Sequence, residues 1–188
     1  MATEQDEPMQ MQMDELQSIL RKVERSVFRL ETLSSYTAPG EADLLRAFND
    51  GHPMPPRGPD TDPWLRMLAD SVQAGRHWSR VHLLDRPLTD YLRFEILGYQ
   101  GNVAAGEDVR IADRADAPET LSALTRDFWL LDDALGVVIE YDGDGRRLSM
   151  EPTRDVGGFV DQRNLAMAHS VPLLDYLPTV QDELRRSW

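Results

Sequence analysis

The richest chemistry in this sequence lies in a stretch of arginines. Arg76, Arg80, Arg86 and Arg93 fall close to Tyr91, Glu95 and Asn102, and over this stretch basic side chains outnumber acids. A guanidinium fork pairs two-pronged with carboxylate or phosphate. Arg80 and Arg93, with the hydroxyl of Tyr91, the carboxyl of Glu95 and the amide of Asn102, are therefore candidate ligand-binding residues for an anion or an acidic peptide. The same arginines have a purely structural use, because Arg93 can pair internally with Glu95, Asp90 or Asp85. Both uses stay open at this level.

Other reaction chemistries lack their residues. The chain has no cysteine, which removes disulfides, thiolate nucleophiles and thiolate metal sites together. Its one lysine, Lys22, falls on the exposed side of an N-terminal helical pattern and is a poor Schiff-base candidate. Phosphate-cradling glycine loops, serine elbows and paired-histidine zinc helices each demand a spacing that is not met. Asp142-Gly143-Asp144-Gly145 looks superficially like a calcium loop, but Arg146 falls where a ligand is needed and no bidentate glutamate follows at the proper distance. It reads as a hairpin turn, and Asp132 and Asp133 as another. His77 and His82 sit on opposite sides of a strand pattern, so they cannot share a metal. The expectation is no metal and no cofactor.

Charge narrows the partner classes. Thirty-three acidic against 20 basic side chains give a formal charge of -13 and a pI near 4.6. Such a field repels phosphate backbones and anionic lipid, so neither direct nucleic-acid nor membrane binding is expected, and it favours a partner with a basic surface. Mean hydropathy is -0.47, and no apolar window nears the roughly 18 residues a spanning helix needs. Glu4, Asp6 and Glu7 stand where a signal peptide carries positive charge, which implies a cytoplasmic protein.

The elements that must position these groups follow from spacing. Residues 1–8 read as an acidic mobile tail and 9–188 as a single α+β domain. Met9, Met13, Leu16 and Leu20 fall on one helical face, which must bury against the domain's own core or against a partner, since methionine faces adapt to varied grooves. Phe28, Leu30 and Thr32 alternate as in a half-buried strand. Residues 41–49 predict a helix with Leu44, Leu45 and Phe48 inward and Gly51 as its stop. Four prolines within residues 52–59 predict an extended connector. Asp62-Pro63 opens a helix with Trp64, Leu65, Leu68 and Val72 inward, and residues 77–84 predict a strand. Residues 88–99 satisfy both helical and alternating patterns and are assigned helix, capped by Thr89, with a loop from Gly101 to Gly106. Residues 108–113 predict a short strand, and 127–150 a three-stranded meander. Residues 159–168 predict a helix, which Val171-Pro172 interrupts. Together these give an antiparallel sheet with a hairpin meander, covered by helices.

Several segments resemble an actinobacterial domain-of-unknown-function family, number 6879, whose members are often encoded beside helix-turn-helix regulators. The resemblance rests on residues 28–33 (FRLETL), 87–95 (PLTDYLRFE), 102–110 (NVAAGEDVR), 127–133 (DFWLLDD) and 168–173 (AHSVPL), and spans residues 27–176. It implies no catalytic residue. Two functional readings follow. One is a non-enzymatic regulatory or interaction protein, the acidic partner of a basic DNA-binding regulator, with Met9, Met13, Leu16 and Leu20 as candidate partner-binding residues. The other is a small-molecule sensor or cofactor-independent enzyme with a pocket near Arg93, Glu95 and Asn102.

Overall fold

Phe28 and Leu30 do alternate with their neighbours, but the strand they form is central, and five of its six residues are buried. Its neighbours were set by the rest of the chain, as a computed structural model describing residues 10–184 makes plain. The acidic tail and Met9 lie outside the described residues. Strands β1 (Ser26–Glu31), β2 (His77–Leu84), β3 (Asp108–Asp113), β4 (Asp127–Leu131), β5 (Leu135–Tyr141), β6 (Arg147–Thr153) and β7 (Val171–Pro172) form one sheet in the order β6-β5-β4-β1-β2-β3-β7. The helices are α1 (Met13–Leu20), α2 (Ala42–Asn49), α3 (Pro63–Gln73), α4 (Asp90–Ala104), α5 (Pro118–Leu121), α6 (Gly157–Ala168), α7 (Leu173–Tyr176) and α8 (Gln181–Leu184).

The fold is α+β, but the sheet is mixed rather than antiparallel throughout. β4, β5 and β6 form the expected meander, and β4 pairs antiparallel with β1. β1–β2 and β2–β3 are parallel. The reason is visible in the connections: α2 and α3 separate β1 from β2, and α4 separates β2 from β3, and a helix-bearing crossover returns the chain in the same direction.

Local chemistry sets the helix limits. The Asp62 carboxylate accepts from the amides of Trp64 and Leu65, while Pro63 occupies the first turn, where its missing donor is harmless. Thr89 caps α4 through the amide of Leu92. That helix runs through the expected loop at Gly101 to Ala104, because packing on both of its sides holds the glycines in helix. In α2, Leu45 and Phe48 are half-buried, but Leu44 turns to solvent rather than inward.

The sheet's two faces differ. Phe28, Leu30, Val81, Leu83, Phe128 and Leu130 share an apolar face covered by α5 and α6. Gly136 allows close approach there: a Cβ on it would lie 3.1 Å from the Phe159 ring. On the other face, one apolar cluster joins Leu16, Leu20, Val27, Leu68, Trp78 and Trp129, and another joins Leu92, Ile96, Val109, Ile111 and Tyr176. Between them the middle strands present Arg29, Glu31, Arg80, His82 and Asp127, all buried.

Trp129 is 9% exposed, stands edge-on to Trp64 at 6.2 Å and lies under the Arg29 guanidinium at 5.4 Å. Trp129→Ala is expected to cost about 3–5 kcal/mol in chemical denaturation. An unchanged midpoint would contradict this packing.

Candidate functional site

The parallel register places charge beside charge. Pairing of Arg29 with Arg80 and of Glu31 with His82 puts all four side chains on one face. Arg80 donates through Nη1 to Glu31 Oε2 at 2.9 Å and through Nε to Glu107 Oε1 at 3.0 Å, and Asn102 Nδ2 donates to Glu107 Oε2 at 2.6 Å. Arg29 Nη2 donates to Asp127 Oδ2 at 2.7 Å and to the Tyr141 hydroxyl at 3.1 Å. Asp127 also accepts from the Tyr36 hydroxyl and from the amide and hydroxyl of Thr32. Tyr99 donates to Glu31 Oε2 at 2.6 Å, and its ring lies under the Arg80 guanidinium at 4.9 Å. The result is one connected buried array.

Burial alone would raise the Glu31 carboxyl, but the Arg80 and Arg29 guanidiniums, aided by the Tyr99 hydroxyl, hold it at about 2. Burial lowers the His82 imidazole despite Glu31 nearby. With the ring neutral, Nε2–H donates to the Leu33 carbonyl at 2.9 Å, and Nδ1 faces the Tyr99 hydroxyl at 2.9 Å, sharing that proton with Glu31. The array holds two guanidiniums, Arg29 and Arg80, against three carboxylates, Glu31, Glu107 and Asp127. Its field is therefore negative.

Helix α4 supplies the array's upper side. Tyr91, Glu95, Tyr99 and Asn102 recur at helical spacing and lie on one stripe facing the sheet. Tyr91 is 6% exposed and its ring meets Tyr36 at 5.9 Å. Glu95 is half-buried, and burial, with Glu31 and Glu41 as like charges, pushes its carboxyl up to about 7; Arg80 and a hydrogen bond from Tyr99 oppose the rise. Burial likewise raises the Glu41 carboxyl. Arg93 leaves the stripe and pairs with Asp90 at 2.5 Å, so the structure gathers Arg80, Tyr91, Glu95 and Asn102 and turns Arg93 elsewhere.

The neighbouring ridge of α4 is small. A Cβ on Gly101 would lie 3.1 Å from the Arg57 carbonyl oxygen and from Leu65, and one on Gly98 would lie 3.4 Å from the tip of Arg57. The proline-rich segment therefore settles close to the helix. Between them and the end of α2 runs a groove of about 670 Å³, lined by Phe48, His52, Met54, Leu97 and Leu184 among others. None of the five candidate ligand residues lines it. Among the described residues, no three histidines, aspartates or glutamates are grouped to hold a metal ion.

A family model for the domain of unknown function DUF6879 matches residues 14–178. The chain belongs to this family. No curated protein matches it. The DUF6879 match takes in all seven strands and every member of the buried array, and it starts earlier than the resemblance at residue 27, so that most of α1 falls inside the DUF6879 domain. Within α1, Leu16 and Leu20 are each 1% exposed and packed in the domain's own core, while Met13 is 39% exposed. The stripe is thus mostly core, and Met9 lies outside the described residues.

Arg29, Glu31, Tyr36, Glu41, Tyr99, Glu107 and Asp127 escaped the sequence reading of the site. Arg29 and Glu31 alternate with Phe28 and Leu30, a charged set opposite an apolar set, which marks an amphipathic strand and not a charged core. Only the cover by α4 makes that face interior.

Arg80→Leu leaves Glu107 buried without its cation and Glu31 with Arg29 alone, and about 3–5 kcal/mol of stability is expected to be lost. A denaturation midpoint within error of the parent would refute the pairing. Glu95 behaves oppositely. Its folded pKa, near 7, exceeds the ordinary 4.5, so the folded protein holds a proton that the unfolded chain releases, and stability falls as pH rises between those values. Glu95→Gln should therefore match the parent near pH 4 and exceed it at pH 8 in thermal unfolding; a variant no more stable at pH 8 would contradict the shift.

Proposed function

We propose that this DUF6879 domain is a non-enzymatic interaction module that takes a segment of a basic protein partner into the groove beside α4. The observation that carries the reading is the closure of the polar set on itself. Arg80 is engaged by Glu31 and Glu107, Asn102 by Glu107, and Arg93 by Asp90, which leaves these candidate chemical groups turned away from the groove. The groove itself offers Phe48, Pro53, Met54, Pro55 and Leu97 with a few polar groups, a lining suited to recognising a side-chain ridge. A charge of -13 supports a basic partner and speeds its approach. Basic DNA-binding regulators of the helix-turn-helix kind, which the family resemblance brings in, have that chemistry, and the same reading places the protein in the cytoplasm, where it would meet them.

The test is photo-crosslinking in the native host. A crosslinker at Leu97 is expected to capture one basic protein, and one at Asp155, on the α6 side of the sheet, is not. Gly98→Trp, whose Cβ would meet only the flexible tips of Arg57 and Met54, should fill the groove and abolish capture with the fold retained by circular dichroism. Equal capture from both positions, or a retained metabolite with no protein, would refute the reading.

A further inference from the structure

Arg57 runs along the glycine ridge of α4. Its carbonyl oxygen and Cβ lie 3.1 and 3.3 Å from the position a Cβ would take on Gly101, and its Nη1 lies 3.4 Å from that position on Gly98. Both Arg57 and Gly98 line the groove. Asp62 holds the guanidinium in place. The amides of Trp64 and Leu65 fix Asp62 Oδ1, and Oδ2 accepts from Arg57 Nε at 3.2 Å and from Nη2 at 2.9 Å. Nη1 is left with no hydrogen bond among the described residues. His52 lines the same groove, and among the described residues no aspartate or glutamate does. In a chain with 33 acidic and 20 basic side chains, this lining carries the opposite sign from the molecule as a whole.

The two signs act at different ranges. The overall charge of -13 draws in a basic partner, but salt screens it beyond about 8 Å, so the groups in contact decide what seats in the groove. A guanidinium held along one edge by Asp62 still offers Nη1 to a second carboxylate, as Arg80 in the same fold serves both Glu31 and Glu107. Around Arg57, the side chains of Phe48, Met54, Leu97 and Leu184 give the groove of about 670 Å³ an apolar lining that matches aliphatic or aromatic groups.

We propose that the segment seated in this groove carries a carboxylate beside its apolar side chains, and that Arg57 receives it through Nη1. The inference rests on the interaction reading for its occupant, and it makes Arg57 the residue that sets which segment of the basic partner is taken. An apolar segment with lysine in place of the acid is rejected, because its ammonium would face the guanidinium.

The probes are N-acetyl-Trp-Leu-Leu-Glu amide and its counterparts ending in glutamine and in lysine, titrated into the full chain and followed by NMR at the amides of Leu97, Gly98 and Gly101. The glutamate probe is expected to give saturable shifts, the glutamine probe to bind about tenfold more weakly, and the lysine probe more weakly still. Arg57→Gln should bring the glutamate and glutamine probes to one affinity, with the fold retained by circular dichroism, since a partly exposed ion pair contributes little to stability. Equal binding of those two probes to the parent, a glutamate preference that survives in Arg57→Gln, or no saturable shift from the glutamate probe overturns the proposal. Tighter binding of decanoate than of the glutamate probe overturns a peptide as the occupant. The two readings fail separately. Partner capture at Leu97 that persists undiminished in Arg57→Gln leaves the interaction module standing and removes its carboxylate, whereas a glutamate preference governed by Arg57, with no protein captured, keeps the carboxylate site and removes the partner.

Discussion

The ion pairs from Arg80 to Glu31 and Glu107 are the constraint on which this fold turns. A buried pair is weak as a source of stability, because desolvating both ions offsets most of their attraction. What it supplies here is register. Arg80 sits on β2 between β1, which carries Glu31, and the start of β3, which follows Glu107. Slipping β2 by one residue would turn Arg80 to the face of Phe28, Leu30 and Phe128, away from Glu31 and Glu107. The two parallel pairings at the middle of the sheet are thereby held in register by charge as well as by their apolar residues.

Helix α4 answers to two surfaces at once. Tyr99 and Asn102 reach down to Glu31 and Glu107, while Gly98 and Gly101 make room for Met54 and Arg57 on the adjoining ridge. The second demand explains glycines that would otherwise weaken a helix. A side chain at 101 would lift the proline segment away, and with it the wall of the groove, so the shape of the outer surface and the closure of the inner array are set by alternate residues of one short run. The same economy appears at the hairpin after β5. Gly145 has φ of 73°, and a Cβ there would come within 2.5 Å of the Ser35 carbonyl oxygen, so only glycine lets the loop carrying Tyr36 cross to Asp127.

Much of the fold was legible because local signals agreed with tertiary demand. Asp62-Pro63 opened α3, residues 77–84 formed β2, and the 127–150 stretch formed its meander. The parallel pairs were not read, since β1 and β2 show short alternating runs that look the same whichever neighbour they take, and the pairing partner is chosen far along the chain, by Ser26 meeting His77. At the site, Arg80, Tyr91, Glu95 and Asn102 were found through residue type; the helix assignment for residues 88–99 already put Tyr91 and Glu95 one turn apart, whereas Asn102 joins their stripe only because the helix continues through the expected loop. Arg93 was included by type and excluded by phase: it lies two residues from Tyr91 and so points away. Glu31, Glu107 and Asp127 were hidden because an acidic side chain in an acidic chain carries no signal until its surroundings are known.

That acidity also explains why the array and its rim behave differently. Inside, each carboxylate has a guanidinium, hydroxyl or amide donor, and Glu31 stays ionised down to about pH 2. At the rim, Glu95 meets the field of an array that already has one anion too many, and with Glu41 beside it the cheapest response available to the isolated chain is to hold a proton. A proton is the smallest cation that relieves the excess, and it does so at the cost of weakening with rising pH.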